Sequence, residues 1–309
     1  MTLAIDVQDL SHSYSRGRSG STPTLSRLQL QVPQGSLVGL IGRNGCGKST
    51  LLRHLIGDVL PQRGRVEVLG CPAPKLDSAT LARIGMVYQR SRFIDWMSVE
   101  EHIRYVASFY PDWDVELEQR LVGQLELELD ARVGSLSPGN VQKLALVLAT
   151  GHRPDLLLLD EPAAGLDPFG RSELLHFLLE LLRERHETTI VIASHVLRDV
   201  EKVVDHIVCL HDGQLTADQP LDSLQERYAR WQVLSPQGEP LPHQFPESFV
   251  VRQIIEGPQA QLWTDGVGDE ERKAFEQRHG VSVNSRALTL DEIFPLLTRA
   301  RDSWLREAS

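Results

Sequence analysis

The stretch SLVGLIGRNGCGKSTLLRHLIGDVL, residues 36–60, decides the fold. Its opening SLVGLI (36–41) is apolar and reads as a buried strand, and its closing TLLRHLIGDVL (50–60) sets apolar residues at helical spacing. Between them Gly42, Gly47, Lys48 and Ser49 complete the pattern G-x-x-x-x-G-K-[ST]. Strand, glycine loop and helix in that order are the context this pattern requires. The glycines let the backbone curl so that successive N–H groups converge on phosphate oxygens. The helix N-terminus adds partial positive charge at the same place. Lys48 is then placed to neutralise β- and γ-phosphates, and the Ser49 hydroxyl to ligate Mg²⁺. The expected architecture is α/β, with a P-loop NTPase core.

Three downstream segments extend the pattern. LLLL (156–159) is a continuous apolar run, as a strand buried on both faces requires, and it ends in Asp160 and Glu161 before Pro162. Adjacent strand residues point to opposite faces, so the two acids need not share a role. Asp160 fits a water-mediated partner of Mg²⁺; Glu161 fits a base that orients or deprotonates an attacking water. TTIVIAS (188–194) is another strand-like run and delivers His195 to the strand end where ligands collect in open α/β sheets. There an imidazole can donate to a γ-phosphate. Gln89, in GMVYQR (85–90), again follows a strand-like run and can orient water or sense Mg²⁺. Taken singly, a strand-end acid pair or histidine is ordinarily a satisfied polar residue; the glycine loop upstream is what changes the weighing. In LSPGN (136–140), Ser137 and Pro138 suit the N-cap and first position of a helix over VQKLALVLA (141–149).

With these motifs in this order, residues 1–212 resemble the ATP-binding subunit of an ABC transporter. The resemblance implies that residues 42–50 are the Walker A loop, so that Asn44, Gly45, Cys46 and Thr50 join Gly42, Gly47, Lys48 and Ser49 around ATP. It implies that Tyr14 stacks on adenine, that Gln89 is the Q-loop residue at Mg²⁺ and that His195 is the switch histidine. Residues 136–140 match the signature, with Ser137 and Gly139 touching a partner's γ-phosphate, and Gly165–Asp167 match the D-loop, with Asp167 at the nucleotide. FYPDWD (109–114) and KLALVLATGHRPDLLLLDEP (143–162) further resemble ATPases of ABC-2-type exporters, in a bacterial group often encoded beside GntR-type regulators. The family signature is usually L-S-G-G-Q. Here Pro138 removes one backbone donor, Asn140 shortens a side chain, and Ala164 stands where the D-loop often has Ser. The signature is read as working with one donor fewer, and Cys46 as serving phosphate through its backbone. The family mechanism implies a second ATPase subunit, most simply a homodimer, with ATP held between Lys48 of one copy and Ser137 of the other.

Composition agrees. A chain of 309 residues allows one large or two modest domains, and 41% hydrophobic with 24% charged residues is ordinary for a globular protein. A net charge of −10 argues against a nucleic-acid partner. Cys46, Cys71 and Cys209 form no C-x-x-C pair, which points to a reducing compartment without a zinc site or disulfide framework. There is no N-terminal signal pattern and no apolar run near the roughly 18 residues a membrane span needs. The expectation is a peripheral protein on the cytoplasmic face of the inner or plasma membrane, driving a separate integral permease. The alternative is a soluble ABC ATPase acting on DNA or ribosomes. It calls for coiled-coil heptads, zinc cysteines or a second glycine loop, none of which occurs in the sequence.

The expected organisation is an ATP-binding domain over 1–219, with a helical subdomain at about 90–150, and a small α+β appendage over 220–309. Ser98 with Glu101 is a capping-box start for VEEHIRYVASFY. RSRFIDWM (90–97) gathers Phe93, Ile94, Trp96 and Met97, either as core of the helical subdomain or as a groove for a cytoplasmic helix of the membrane subunit. Asp212-Gly213 predicts a hairpin. In the appendage, SFVVRQII, AQLWTD and VSVNS read as strands, DEERKAFEQRH as a helix, and a last helix starts at Thr289 with Glu292 three residues on. It serves as a dimer brace or, alternatively, a ligand sensor.

Overall fold

The computed structural model describes residues 2–14, 24–185 and 187–298. The chain divides after Asp218 into two compact units. In the first, β1 (Leu3–His12) and β2 (Leu25–Pro33) pair antiparallel; β3 (Leu37–Ile41) leads through the glycine loop into α1 (Lys48–Leu55). Then β4 (Arg63–Val68) and β5 (Cys71–Pro72) join β1 in a four-stranded antiparallel sheet of order β2-β1-β4-β5. Helix α1 is shorter than its apolar periodicity suggested. Gly57 adopts φ +76°, a left-handed conformation that cannot continue a right-handed helix.

After α2 (Ser78–Leu81) and β6 (Ile84–Val87) come the helices α3 (Val99–Ala107), α4 (Val115–Gln124) and α5 (Pro138–Thr150). Helix α3 starts with the anticipated capping box, the Glu101 backbone N–H donating to the Ser98 hydroxyl and the Ser98 N–H to the Glu101 carboxylate. The chain returns through β7 (Leu156–Asp160), α6 (Pro168–Glu184), β8 (Thr189–Ser194), α7 (Leu197–Val200), β9 (His206–His211) and β10 (Gln214–Pro220). A six-stranded sheet results, in the order β10-β9-β3-β8-β7-β6. Strands β9, β3, β8, β7 and β6 are mutually parallel. Every residue of β3, β7 and β8 is buried, as continuous apolar runs under two-sided cover must be. Parallel pairing sends the segments after β3, β8, β7 and β6 out at one edge. Those segments carry the glycine loop, His195, Glu161 and Gln89. Asp212 and Gly213 both have positive φ, the geometry of a two-residue hairpin between β9 and β10.

Close approach of α5 to the sheet depends on Gly85 in β6. A Cβ there would lie 2.1 Å from the Ala149 carbonyl oxygen, a backbone atom that cannot swing aside. Gly85→Ala should therefore destabilise the protein by about 1–3 kcal/mol, the usual cost of overpacking, seen as a lowered denaturant midpoint.

The second unit comprises α8 (Leu221–Arg227), β11 (Tyr228–Leu234), β12 (Val250–Glu256), β13 (Gln259–Asp265), α9 (Asp269–His279), β14 (Ser282–Ala287) and α10 (Leu290–Thr298). Its strands form one antiparallel sheet, β12-β13-β11-β14. One face holds a core built around Trp231, Val233, Leu262 and Phe275, into which the proline-rich loop delivers Phe245. Glu292 reaches back to accept from the Thr289 N–H at 3.2 Å, one half of the anticipated capping box. The central strand β11 was not anticipated, because no glycine or proline separates it from α8. Residues 299–309 of the expected appendage lie outside the described residues. No helix among the described residues is long and apolar enough to cross a membrane.

Candidate functional site

A cavity of about 300 Å³ opens where β3, β6 and β7 end. Asn44, Gly45, Gly47, Lys48, Ser49 and Thr50 line one side, with Gln89 and Glu161 also at its wall. Gly47 sits at φ +114° and caps α1 without a side chain, so the first-turn amides keep no competing side-chain acceptor. A Cβ at Gly47 would also meet the Thr24 carbonyl oxygen at 2.8 Å. Thr24 itself lines the cavity. Sequence reasoning missed it, since a lone threonine outside any motif carries no signal.

Lys48 is buried. Its ammonium donates to the Gly42 carbonyl at 2.8 Å and the Arg43 carbonyl at 3.5 Å, and stands 3.6 Å from Glu161 Oε1. Glu161 follows β7 with φ +51°, held there by its N–H donating to the Ala193 carbonyl of β8. That turn carries its carboxylate into the site. Oε2 accepts from His195 Nδ1 at 2.8 Å and from the His195 N–H at 3.4 Å, with the Ser194 hydroxyl at 3.5 Å. Lys48, Glu161 and His195 thus form one continuous set of contacts across three strand ends.

Asp160 is buried beside them. Burial pushes its carboxyl above the usual carboxylate range, while a hydrogen bond with the Ser49 hydroxyl and the nearby Lys48 ammonium act the other way. Asp160 Oδ1 and Glu161 Oε1 are buried with no hydrogen-bond partner among the described residues. Leaving a buried acceptor such as Asp160 Oδ1 unsatisfied is costly, so it marks where a cation and its waters fit. Among the described residues no cluster of three or more His, Cys, Asp or Glu could hold a metal alone. A hydroxyl, an amide and a single carboxylate suit a hard cation that keeps waters and phosphate oxygens as its other ligands.

Gly42 and Cys46 are buried behind the loop rather than in the cavity wall. The Cys46 N–H donates to the Arg43 carbonyl, and its own carbonyl accepts from Gly213. Tyr14 stands beside the cavity mouth, 57% exposed, its hydroxyl 3.5 Å from Thr50 Oγ1.

Ser137, Gly139 and Asp167 are not in this cavity. Ser137 is exposed and caps α5, accepting from the Asn140 N–H at 3.2 Å, with Pro138 at the first helical position. A Cβ on Gly139 would come within 2.9 Å of the Gly165 carbonyl oxygen, so the start of α5 and the turn at Gly165 pack backbone to backbone. Asp167 caps α6 by accepting from the Gly170 N–H at 2.7 Å. Ser137 and Asp167 are thus exposed and apart from the cavity, and Gly139 is buried.

A sequence profile described as "ABC transporter" matches residues 25–164. The chain is 33% identical over 234 residues to the bacitracin transport ATP-binding protein BcrA of Bacillus licheniformis, covering 75% of this chain and 74% of that one. It is 30% identical over 306 residues to the Nod factor export ATP-binding protein I of Rhizobium meliloti (strain 1021), covering 96% and 88%. Among solved structures, an ATP-binding subunit of an ABC transporter superposes with a TM-score of 0.64 at 30% identity, over 73% of this chain and 92% of that one. A dimeric ATP-binding cassette in a post-hydrolysis state with ADP and Pi shares the fold, with a TM-score of 0.62 at 22% identity, over 70% and 98%.

Proposed function

Since the chain belongs to the ABC transporter family of ATP-binding subunits, we propose that it is the ATP-hydrolysing motor of an ABC-2-type exporter, working as a homodimer beneath a separate membrane permease. The observation that carries this reading is the split geometry. Lys48 and Glu161 line the cavity, with His195 bonded to Glu161, whereas exposed Ser137 and buried Gly139 stand at a helix start elsewhere. One chain therefore holds half of two sites, and a second copy completes each.

Within one copy the loop amides and Lys48 take the β- and γ-phosphates. Lys48 exchanges the Gly42 and Arg43 carbonyls for phosphate oxygens, which carry full charge and bind it more strongly. Ser49, Gln89 and, through water, Asp160 would hold Mg²⁺, which when bound would supply neutralisation of phosphate charge. Glu161 takes the proton of the attacking water on a carboxylate oxygen, and His195 keeps that carboxylate in place and faces the γ-phosphate. Tyr14 supports the base. Ser137 and Gly139 of the second copy close over the γ-phosphate, and Asp167 caps α6 just after the turn at Gly165 that packs on Gly139. Hydrolysis removes the group that bridges the two copies, and their separation moves the permease at the cytoplasmic face of the membrane. Transport of bacitracin or Nod factor belongs to the relatives. For this chain the cargo class is set by the permease. The C-terminal unit braces the dimer.

The test is oligomeric state. Glu161→Gln with Mg-ATP should shift from monomer to dimer by light scattering, because unhydrolysed ATP bound between copies favours association by mass action. Adding Ser137→Arg should prevent that shift by bulk while ATP still binds. A dimer that forms equally well with Arg at 137 would rule out the cross-subunit site.

A further inference from the structure

Tyr14 does not stand alone at the mouth of the cavity. Its ring meets the edge of the His12 ring, centroid to centroid 4.7 Å at 78°. His12 in turn meets His54 of α1, 4.9 Å at 75°. His54 Nδ1 lies 2.7 Å from the Thr50 carbonyl, which can only accept, so that nitrogen carries the proton. The circuit closes where the Tyr14 hydroxyl approaches Thr50 Oγ1 at 3.5 Å. Three rings, Tyr14, His12 at the end of β1 and His54 on α1, are thereby linked edge to face, with Thr50, the residue after Ser49, touching the Tyr14 hydroxyl.

The histidines are placed as rings rather than as charges. His12 is 8% exposed and His54 fully buried. Both ring nitrogens of His12, and Nε2 of His54, make no hydrogen bond that satisfies ordinary geometry among the described residues. Burial holds both below the ordinary imidazole range, opposed in part by the Leu60 carbonyl at His12 and by the Thr50 carbonyl at His54. Held toward its neutral form by burial, His12 offers Tyr14 an aromatic surface. Edge-to-face pairing of this kind stabilises one ring orientation over others.

We propose that His12 is a positioning residue for nucleotide binding: buttressed by His54, it holds the Tyr14 ring upright on α1, so that the base meets a preformed platform. The inference rests on the reading of Tyr14 as the base-stacking residue. A platform ordered before binding spares the nucleotide the entropy of ordering it. The effect is confined to ligands that carry a base, since the phosphate-binding amides and Lys48 are untouched.

The experiment compares ATP with inorganic tripolyphosphate, which fills the phosphate loop without a base, by calorimetric titration of the full chain. His12→Ala should weaken ATP about threefold to tenfold, the range of one aromatic pair, and leave tripolyphosphate unchanged. KM for ATP should rise with kcat unaltered, as for uniform binding loss. His12→Phe keeps the ring without the nitrogens and should restore ATP affinity. Tyr14→Ala should weaken ATP at least as much, and adding His12→Ala to it should cost nothing more. If Tyr14→Ala leaves ATP affinity intact, the base-stacking reading fails and the buttress with it. If Tyr14→Ala weakens ATP but His12→Ala does not, only the buttress is overturned. Equal loss of ATP and tripolyphosphate in His12→Ala would also overturn it, by making His12 a support of α1 as a whole.

Discussion

Glu161→Gln is expected to slow phosphate release about 10²–10⁴-fold, the usual worth of a positioned general base. The substitution preserves shape: an amide oxygen can still accept from His195 Nδ1, now 2.8 Å from Oε2. What it removes is the site that receives the proton. It also removes the negative charge 3.6 Å from Lys48, so the ammonium is freer to turn toward phosphate and ATP affinity does not fall. The discriminating measurement is single-turnover phosphate release with ATP affinity measured in parallel. Release at the parent rate, with binding intact, would assign the proton to another acceptor.

Lys48→Ala is expected to lose ATP affinity by about 10–100-fold for each phosphate contact removed, since a charge-assisted hydrogen bond contributes about 1.5–3 kcal/mol. Two such contacts take binding outside a useful range. The buried site gives a second consequence. Asp160 and Glu161 are 4% and 5% exposed, and Lys48 is the cation beside them. Without it two neighbouring buried carboxyls lose their nearby ammonium, so the melting temperature falls as well. Calorimetric titration with ATP at a temperature where the variant is folded separates the two effects. Unchanged affinity there would remove Lys48 from the phosphate site.

Much of the core was legible because its signals are local. The apolar runs at 36–41 and 156–159 and the strand-like run at 188–194 read as strands, and residues 37–41, 156–160 and 189–194 form strands buried throughout. Ser98 and Ser137 cap the helices their neighbours imply, because an N-cap is a contact across three residues. Helix α1 was drawn too long because apolar spacing continues past Gly57, where the backbone does not. Strand β11 was hidden for the opposite reason: its alternation follows α8 without a break, and only pairing with β13 and β14 makes it central.

A phosphate-binding loop, two strand-end acids and a strand-end histidine are readable from the chain alone, since each is written in a few consecutive residues. The sequence alone could not place them together. Strand order decided that, by setting β3 beside β8 and β8 beside β7, so that residues more than a hundred positions apart leave the sheet at one edge. The positive φ of Glu161 depends on a hydrogen bond to β8, and it is this turn that brings the carboxylate to Lys48 and His195. The His12–Tyr14–His54 stack arises in the same way, from packing β1 against α1, with no motif to announce it. Local chain chemistry specifies the parts, because caps, loops and apolar runs are short-range; their convergence is a property of long-range pairing, which no window of the sequence contains.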